Sequence, residues 1–347
     1  MRRPGSSAIM TSMAVRTRPR VAVILTGGTI EALGVDRLDL SAYLETGNRL
    51  APGELLAGVP EVSEVAEVVE VPFPRLTSHA MTDDNLAELA ARVEALLTAG
   101  EADAVVVTQG TNTIDEVAYL LHLTLASDRP VVVAGAMRPA SAISGDGPLN
   151  LLNAVRVAAA PESAGLGVLV VLDDTIHSAR DVTKASTLRV SAFRDRDAGP
   201  LGYADSDSRV VYVHRPARPH TAATPFHVSD IRSLPRVDIV ITYQGGDGAL
   251  VEAAVAAGAR GIVSAGTGSG WPTPGEVAAL SAAADRGVVV VQASRTGSGR
   301  VPRTPGMRGR RWVAAGDLAP WKARILLRLA LRQTDDPDAI QHLFDTY

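Results

Sequence analysis

The fold class follows from one stretch, which reads Val21-Ala22-Val23-Ile24-Leu25-Thr26-Gly27-Gly28-Thr29-Ile30. It begins as an unbroken apolar run, which predicts a buried strand of a parallel sheet. It ends in a loop where two glycines permit a sharp backbone turn and Thr29 presents a hydroxyl. Open parallel sheets place their ligands in the loops that follow the strands. A ligand or reaction site is therefore predicted at the end of this first strand.

The same pattern continues through the chain and predicts an α/β protein. We expect this protein to have a larger N-terminal domain, with a mainly parallel sheet flanked by helices, and a smaller C-terminal α/β domain. Further apolar runs of strand length occupy residues 104–108, 131–134, 166–172, 239–243, 261–264 and 288–292. Apolar residues at helical spacing occupy residues 84–98, 113–125, 150–158, 245–257, 273–286 and 321–331.

The chain has 347 residues, more than one hydrophobic core usually organises, so two domains are predicted. Residues 214–235 are rich in Pro, His, Arg, Ser and Thr and lack sustained periodicity, which predicts a linker. An N-terminal catalytic domain is expected over residues 20–213 and a C-terminal domain over 236–347. Residues 1–19 contain several arginines and no continuous apolar run, so we expect a disordered tail, no signal peptide and a cytoplasmic protein.

Composition narrows the range of functions. The formal charge is -4, from 38 acidic and 34 basic residues, and gives no electrostatic footprint for nucleic acid or an anionic membrane. A small-molecule substrate is expected instead. The chain has no cysteine, which excludes disulfides, thiolate nucleophiles and cysteine metal sites. Four histidines, at positions 122, 214, 220 and 227, lack metal-ligand spacing, so no metal is predicted.

A second loop of the same kind, Thr108-Gln109-Gly110-Thr111-Asn112-Thr113, follows the next predicted strand. Each loop alone fits a phosphate-binding turn, or a tight turn whose threonines cap the following helix. The first loop lacks the Gly-x-Gly-x-x-Gly spacing of a dinucleotide-binding fold. A hydroxyl nucleophile needs a nearby base, and Lys184 would serve if burial lowered its pKa. Residue type alone favours a solvated surface lysine at that position.

These stretches belong to an ordered set that resembles one family, the asparaginase/glutaminase family with its bacterial-type L-asparaginases. The resemblance covers roughly residues 20–347. A single Gly-Gly-Thr is a weak signal, whereas the ordered set is very specific. Beyond the two loops, the matching segments are Gly135-Ala-Met-Arg-Pro139, Asp146-Gly-Pro-Leu-Asn150, Arg180-Asp-Val-Thr-Lys184, Gly199-Pro-Leu-Gly202, Gly261-Ile-Val-Ser-Ala-Gly266 and Lys322-Ala-Arg324.

The resemblance implies an enzyme that hydrolyses L-asparagine to L-aspartate and ammonia through an acyl group carried on Thr29. It implies that Thr111 pairs with Lys184, and that Tyr43, on a loop beyond Thr29, acts on the Thr29 hydroxyl. Tyr43 also fits a purely apolar anchor. No cofactor is implied, and a homo-oligomer, dimer or tetramer with sites near the interface, is expected. The residues expected to bind substrate are Gly28, Ser78, His79, Gly110, Asn112 and Asp247.

The sequence departs from the family pattern around the substrate amine. Asn112 stands where the family normally has an aspartate, and Gly245 stands where some members have an asparagine. Residues 298–311 include no acidic residue. We therefore expect weakened recognition of an α-ammonium, unless Asp247, or Glu31 or Asp36 in the loop after Thr29, supplies the carboxylate. A related amidohydrolase for another small amide and a catalytically silent amino-acid-binding homologue stay open as alternatives.

Adjacent Ser78 and His79 do not predict a Ser-His hydrolase, because neighbouring side chains on an extended chain point in opposite directions. Asp173 and Asp174 follow a predicted strand and are expected to form a turn.

Overall fold

The computed structural model describes residues 18–347. The predicted disordered tail, residues 1–19, therefore lies almost wholly outside the described residues. Within residues 18–347, no helix is both long and apolar enough to cross a membrane.

Strands and helices alternate through most of the chain. The strands are β1 Arg20–Leu25, β2 Glu67–Val71, β3 Ala104–Thr108, β4 Val131–Ala134, β5 Val168–Leu172, β6 Thr175–Ser178, β7 Val182–Lys184, β8 Phe193–Asp195, β9 Gly202–Ala204, β10 Val210–Tyr212, β11 Val237–Ile241, β12 Gly261–Gly266, β13 Val289–Ser294 and β14 Val313–Ala314. The α-helices are α1 Glu54–Ala57, α2 Val62–Val65, α3 Asp83–Thr98, α4 Ile114–Thr124, α5 Gly147–Ala159, α6 Ala249–Ala256, α7 Pro274–Asp285, α8 Pro305–Gly309, α9 Pro320–Ala330 and α10 Pro337–Thr346.

The large sheet has the order β10-β9-β6-β5-β4-β3-β1-β2. Its strands from β5 to β2 pair in parallel, whereas β6, β9 and β10 continue the sheet in antiparallel pairs. The carboxyl ends of β1, β3 and β4 consequently meet at one edge of the sheet. This arrangement brings the two predicted loops, which follow β1 and β3, next to each other.

Two hydrophobic cores cover the faces of this sheet. Along β1, Val21 and Val23 face the core that α5 covers, whereas Ala22 and Ile24 face the core that α3 and α4 cover. Because side chains of a strand alternate between faces, both cores require the strand to be apolar throughout. This accounts for the unbroken apolar run at its start.

The C-terminal sheet is separate and parallel, with the order β11-β12-β13-β14. Helices α6 and α7 pack on one face of this sheet, and α9 packs on the other. The predicted fold class is therefore confirmed: a large, mainly parallel sheet flanked by helices is followed by a smaller C-terminal α/β domain with its own sheet.

Several predicted boundaries shift by a few residues. The strand predicted over 239–243 is Val237–Ile241, and the helix predicted over 245–257 begins only at Ala249. Before that helix, Gly246 N donates to Tyr243 O, and the Asp247 carboxylate accepts from the Ala249 amide. These bonds form a turn, so the helix begins after it and not at residue 245.

The segment 214–235, predicted as a linker, contains only short 3₁₀ turns and no α-helix or strand. It is nonetheless packed, because Phe226 and Ile231 are fully buried in the core between the large sheet and α3 and α4. The domain boundaries themselves stay a prediction. The turn at Asp173 and Asp174 is confirmed: it joins β5 to β6, and both residues have positive φ, as in the tight turns of hairpins.

Candidate active site

The loops after β1 and β3 touch backbone to backbone. Gly28 has φ 95°, and a Cβ placed on it would lie 2.5 Å from Gly110 Cα. A Cβ on Gly110 would in turn lie 2.8 Å from Ser78 Oγ. Glycine is required at both positions because any side chain would push the loops apart. Three distant parts of the chain thus converge on one recess.

Thr29 lies on the wall of this recess. It forms a 3₁₀ turn with Ile30 and Glu31 directly after Gly28, and it is 7% exposed. Its Oγ1 lies 3.1 Å from the phenolic oxygen of Tyr43, and either hydroxyl can donate. The predicted contact between this threonine and the loop tyrosine is present in the structure. The role of Tyr43 in the reaction stays a prediction.

Lys184 reaches the same recess from another part of the chain. Its Nζ donates to Thr111 Oγ1 at 2.8 Å and to Asn112 Oδ1 at 3.1 Å. Burial lowers the pKa of Lys184, and the nearby Asp115 carboxylate opposes part of that shift. A lowered pKa makes the neutral amine, the form that acts as a base, more accessible near neutral pH.

A buried cation supports the backbone that carries Lys184. Lys322, in α9, is 1% exposed and donates from its Nζ to three carbonyls, those of Ala179, Arg180 and Val182. These carbonyls lie in the segment that leads into β7, where Lys184 is the last residue. Burial lowers the pKa of Lys322 to about 8. The three carbonyls compensate the buried ammonium and fix the start of the hairpin formed by β7 and β8.

Ser78 and His79 lie beside the two threonines. Ser78 is 7% exposed, and its carbonyl accepts a hydrogen bond from Thr113 Oγ1 at 3.2 Å. His79 is exposed and also lines the recess. The recess, of about 80 Å³, is lined by Gly28, Thr29, Leu40, Ser41, Tyr43, Leu44, Thr77, Ser78, His79, Gly110, Thr111, Asn112, Met137, Lys184, Thr187 and Leu188.

Comparison with known proteins places this constellation in a family. The family model described as "Asparaginase, N-terminal" matches residues 20–218, and the one described as "Glutaminase/Asparaginase C-terminal domain" matches residues 236–344. The chain belongs to the asparaginase family. The resemblance identified from the sequence is thereby confirmed.

Individual relatives in the asparaginase family match the chain over nearly its whole length. L-asparaginase 2 of Bacillus subtilis (strain 168) is 41% identical over 329 residues, which are 95% of this chain and 87% of the relative. L-asparaginase 2 of Escherichia coli (strain K12) is 40% identical over 97% of this chain and 95% of its own. The crystal structure of a probable cytoplasmic L-asparaginase from Campylobacter jejuni superposes with a TM-score of 0.88 at 38% identity, covering 95% of this chain and all of that one.

Several lining residues of this asparaginase were not singled out from the sequence. Leu40, Ser41 and Leu44 flank Tyr43 on the same loop, and Thr187 and Leu188 follow Lys184. Met137 belongs to the segment after β4, residues 135–139, which supports the family resemblance but does not by itself predict a role for Met137. The leucines carry no chemical signal in the sequence, because exposed single leucines are common.

Asp247 does not line the recess of the same chain. It lies before α6 in the C-terminal domain, where its carboxylate accepts from the Ala249 amide. Gly245 belongs to the same turn. The expectation that Asp247 meets the substrate therefore stays a prediction.

No carboxylate lines the recess among the described residues 18–347. Across this same range, no three or more His, Asp or Glu side chains are grouped to hold a metal ion. Glu31 lies in an adjoining recess, where burial raises the pKa of its carboxyl, and Arg75 and Arg49 lower it. Asp115 and Glu116 line a larger cleft, of about 490 Å³, which shares Asn112 and Lys184 with the recess.

Proposed function

We propose that this asparaginase-family chain hydrolyses L-asparagine to L-aspartate and ammonia, with Thr29 as the nucleophile. The observation that carries the proposal is the presence, in one recess, of two threonine hydroxyls that are each hydrogen-bonded to a titratable side chain. Thr29 is bonded to Tyr43, and Thr111 is bonded to a lysine whose pKa is lowered by burial. The names of the Bacillus subtilis and Escherichia coli relatives, both L-asparaginase 2, support the substrate.

In the first step, Thr29 Oγ1 forms a bond to the carbon of the side-chain amide. Thr29 passes its proton to Tyr43 Oη, while the Tyr43 hydroxyl proton is delivered to the departing nitrogen. The carbon–nitrogen bond then breaks, ammonia leaves, and an ester joins the aspartyl group to Thr29. The 3.1 Å separation of the two hydroxyl oxygens fits this exchange.

In the second step, a water molecule attacks the ester carbon. The neutral Lys184 amine accepts the water proton, relayed through Thr111 Oγ1. Lys184 then gives up this proton, which goes to Thr29 Oγ1 as the ester bond breaks. Aspartate is released and the starting state is restored. The 2.8 Å bond between Lys184 and Thr111 supports this relay.

Substrate binding is assigned to the surrounding donors. The Ser78 hydroxyl and His79, which both line the recess, would hold the substrate α-carboxylate. Backbone N–H groups of Thr29 and of the turn at 110–112 would stabilise the oxyanion of the tetrahedral intermediate. Gly28 and Gly110 allow the two loops to approach closely enough for both sets of donors to face one carbonyl.

We also propose a homo-oligomer, a dimer or tetramer with its sites near the interface. Large apolar side chains are exposed at the carboxyl edge of the C-terminal sheet and beyond it, namely Ile241, Tyr243, Leu250 and Trp271. Other exposed apolar side chains surround the mouth of the recess, namely Leu40, Leu44 and Leu188. Apolar surface of this kind is typical of protein interfaces. Sedimentation velocity would measure the assembly, and a monomer at micromolar concentration would contradict it.

A cytoplasmic location is part of the proposal. The Campylobacter jejuni neighbour is described as probable cytoplasmic, whereas a Haemophilus influenzae relative is named probable L-asparaginase periplasmic. Fractionation of the source cells, followed by detection of the native protein, would separate the two locations.

Ammonia release from L-asparagine tests the activity, with Thr29→Ala as the inactive variant. The wild type should release ammonia and show acylated Thr29 by mass spectrometry after rapid quenching, and Thr29→Ala should do neither. Thr187→Ala changes another threonine of the recess lining in the same way. If this variant still releases ammonia, the loss of activity in Thr29→Ala is not a general effect of a threonine-to-alanine change on folding. A wild type that binds amino acids but releases no ammonia would instead support the silent binding homologue.

A further inference from the structure

Asn112 presents a hydrogen-bond donor to the substrate. Its amide oxygen accepts from Lys184 Nζ at 3.1 Å, so the amide NH₂ group occupies the other branch of the side chain. An amide nitrogen donates two hydrogen bonds and accepts none. A substrate ammonium also only donates. The exposed branch of Asn112 therefore does not complement an ammonium.

The rest of the recess offers no substitute among the described residues. Its lining includes the Lys184 amine and His79, and no carboxylate from residues 18–347. The buried Glu31 belongs to the adjoining recess, where its carboxylate is 3.4 Å from Arg75 Nη2. Asp115 accepts from Trp321 Nε1 at 3.0 Å and lines the larger cleft, which shares Asn112 and Lys184 with the recess.

The charge balance of the recess thus favours an anion over a zwitterion. An α-carboxylate accepts hydrogen bonds from the donors of the recess, whereas an α-ammonium meets the Asn112 NH₂ group, and no carboxylate of the recess lining balances its charge. A zwitterionic amino acid would gain little from its ammonium here. An otherwise identical amide without that ammonium would avoid this mismatch.

We infer that the same site hydrolyses ω-amides of dicarboxylic acids that lack an α-ammonium, with succinamate as the simplest example. Asn112 determines the preference of the site for these amides over amides that carry an α-ammonium. The inference rests on the proposed function and adds the substrate class. Succinamate should be turned over with a kcat/KM equal to or above that for L-asparagine.

The test compares the two substrates in wild type and in Asn112→Asp. Aspartate has the same shape but offers a carboxylate oxygen where the amide nitrogen stands. Asn112→Asp should shift the ratio of kcat/KM values toward asparagine by about 10- to 100-fold, the effect of one charged hydrogen bond. The ratio is taken at one pH, so that a changed pKa of Lys184 affects both substrates equally.

Product binding provides a second measurement that does not depend on turnover. In Thr29→Ala, succinate should bind at least as tightly as L-aspartate, and in Thr29→Ala with Asn112→Asp the order should reverse. Calorimetric titration measures both. Asp285→Asn, at the exposed end of α7, serves as a matched loss of a carboxylate outside the recess and should leave the ratio unchanged.

The outcomes separate the two proposals. A wild type that prefers asparagine over succinamate by tenfold or more, with a ratio that Asn112→Asp does not move, overturns the inference and leaves asparagine hydrolysis intact. A loss of that preference in Asp247→Asn overturns it also, because a second copy then supplies the carboxylate. If neither amide is hydrolysed, the proposed function fails, and the binding order of succinate and aspartate still decides the role of Asn112.

Discussion

Lys184 Nζ lies 2.8 Å from Thr111 Oγ1, although the two residues are 73 positions apart in the sequence. The bond unites a short hairpin with the loop after a buried strand. Burial lowers the pKa of Lys184, and Asp115 raises it. Burial and the Asp115 charge therefore act on the pKa of Lys184 in opposite directions, and a mutation at Asp115 changes only one of these influences.

Removing the Asp115 charge should make the base available at lower pH. The proposed mechanism uses neutral Lys184 to hydrolyse the ester, so the rate of deacylation should rise with pH through the pKa of this residue, below its ordinary value of 10.5. Asp115→Asn removes an influence that raises this pKa, so the rise should move to lower pH. Profiles against pH of the single-turnover deacylation rate, or of kcat where deacylation limits turnover, measure the shift. Glu116→Gln, at the adjacent position, is the control and should leave the rise in place. An upward shift in Asp115→Asn would contradict the assignment.

Loss of the Tyr43 hydroxyl should slow chemistry more than binding. Tyr43→Phe removes the only described hydrogen-bond partner of the Thr29 hydroxyl within residues 18–347 and retains the ring. We expect kcat to fall by about 10²- to 10⁴-fold, the usual contribution of a positioned acid–base group, with KM changed only a few-fold. Steady-state ammonia release measures both constants. Tyr203→Phe, on the exposed side of β9, should retain full activity. An unchanged kcat in Tyr43→Phe would restrict Tyr43 to an apolar role.

The parts of the site that follow long buried strands were predictable from the sequence. The loops at Thr29 and Thr111 combine an apolar run, glycines and hydroxyl residues within ten positions, and parallel pairing of β1 with β3 brings them together. The family resemblance then supplied Tyr43, Ser78 and Lys184.

Residue patterns alone did not locate Lys184. Its strand, β7, has three residues and pairs only with the equally short β8, and such strands lack a clear alternation. Its position also depends on Lys322, which is 140 positions from Val182 and appears in sequence as one more basic residue in a helix. Burial of both lysines is a tertiary effect, so a solvated side chain was the better expectation before the family resemblance was considered.

Lys322 is expected to act as a positioning residue for Lys184. Lys322→Met would leave three buried carbonyls without their shared donor, which should lower the free energy of unfolding by about 3 to 5 kcal/mol. If the lysine positions the hairpin, kcat should also fall in the protein that remains folded, without a shift in the pH at which the deacylation rate rises.

Arg328→Met tests whether that loss of activity is specific. Arg328 is a second buried cation of α9, and its guanidinium binds the Asp83 carboxylate. Its loss should destabilise the protein while leaving kcat unchanged. Equal losses of kcat in both variants would reduce Lys322 to a general contribution to stability. Chemical denaturation gives the stabilities, and ammonia release at a temperature where both variants are folded gives kcat.

Close contact between the two threonine loops should make Gly28→Ala far more damaging than an alanine at an unconstrained glycine. Gly28 has φ 95°, and its new Cβ would lie 2.5 Å from Gly110 Cα, a backbone atom that cannot rotate away. Left-handed strain and overpacking together should cost about 2 to 5 kcal/mol, and the displaced Thr29 should lose most of its activity. Gly100→Ala is the matched control, because Gly100 also has positive φ, 69°, with nothing within 4 Å of a Cβ. That change should cost about 1 kcal/mol and leave ammonia release unaffected. Equal unfolding midpoints for the two variants would show that the loops separate without penalty, and that the recess does not depend on their contact.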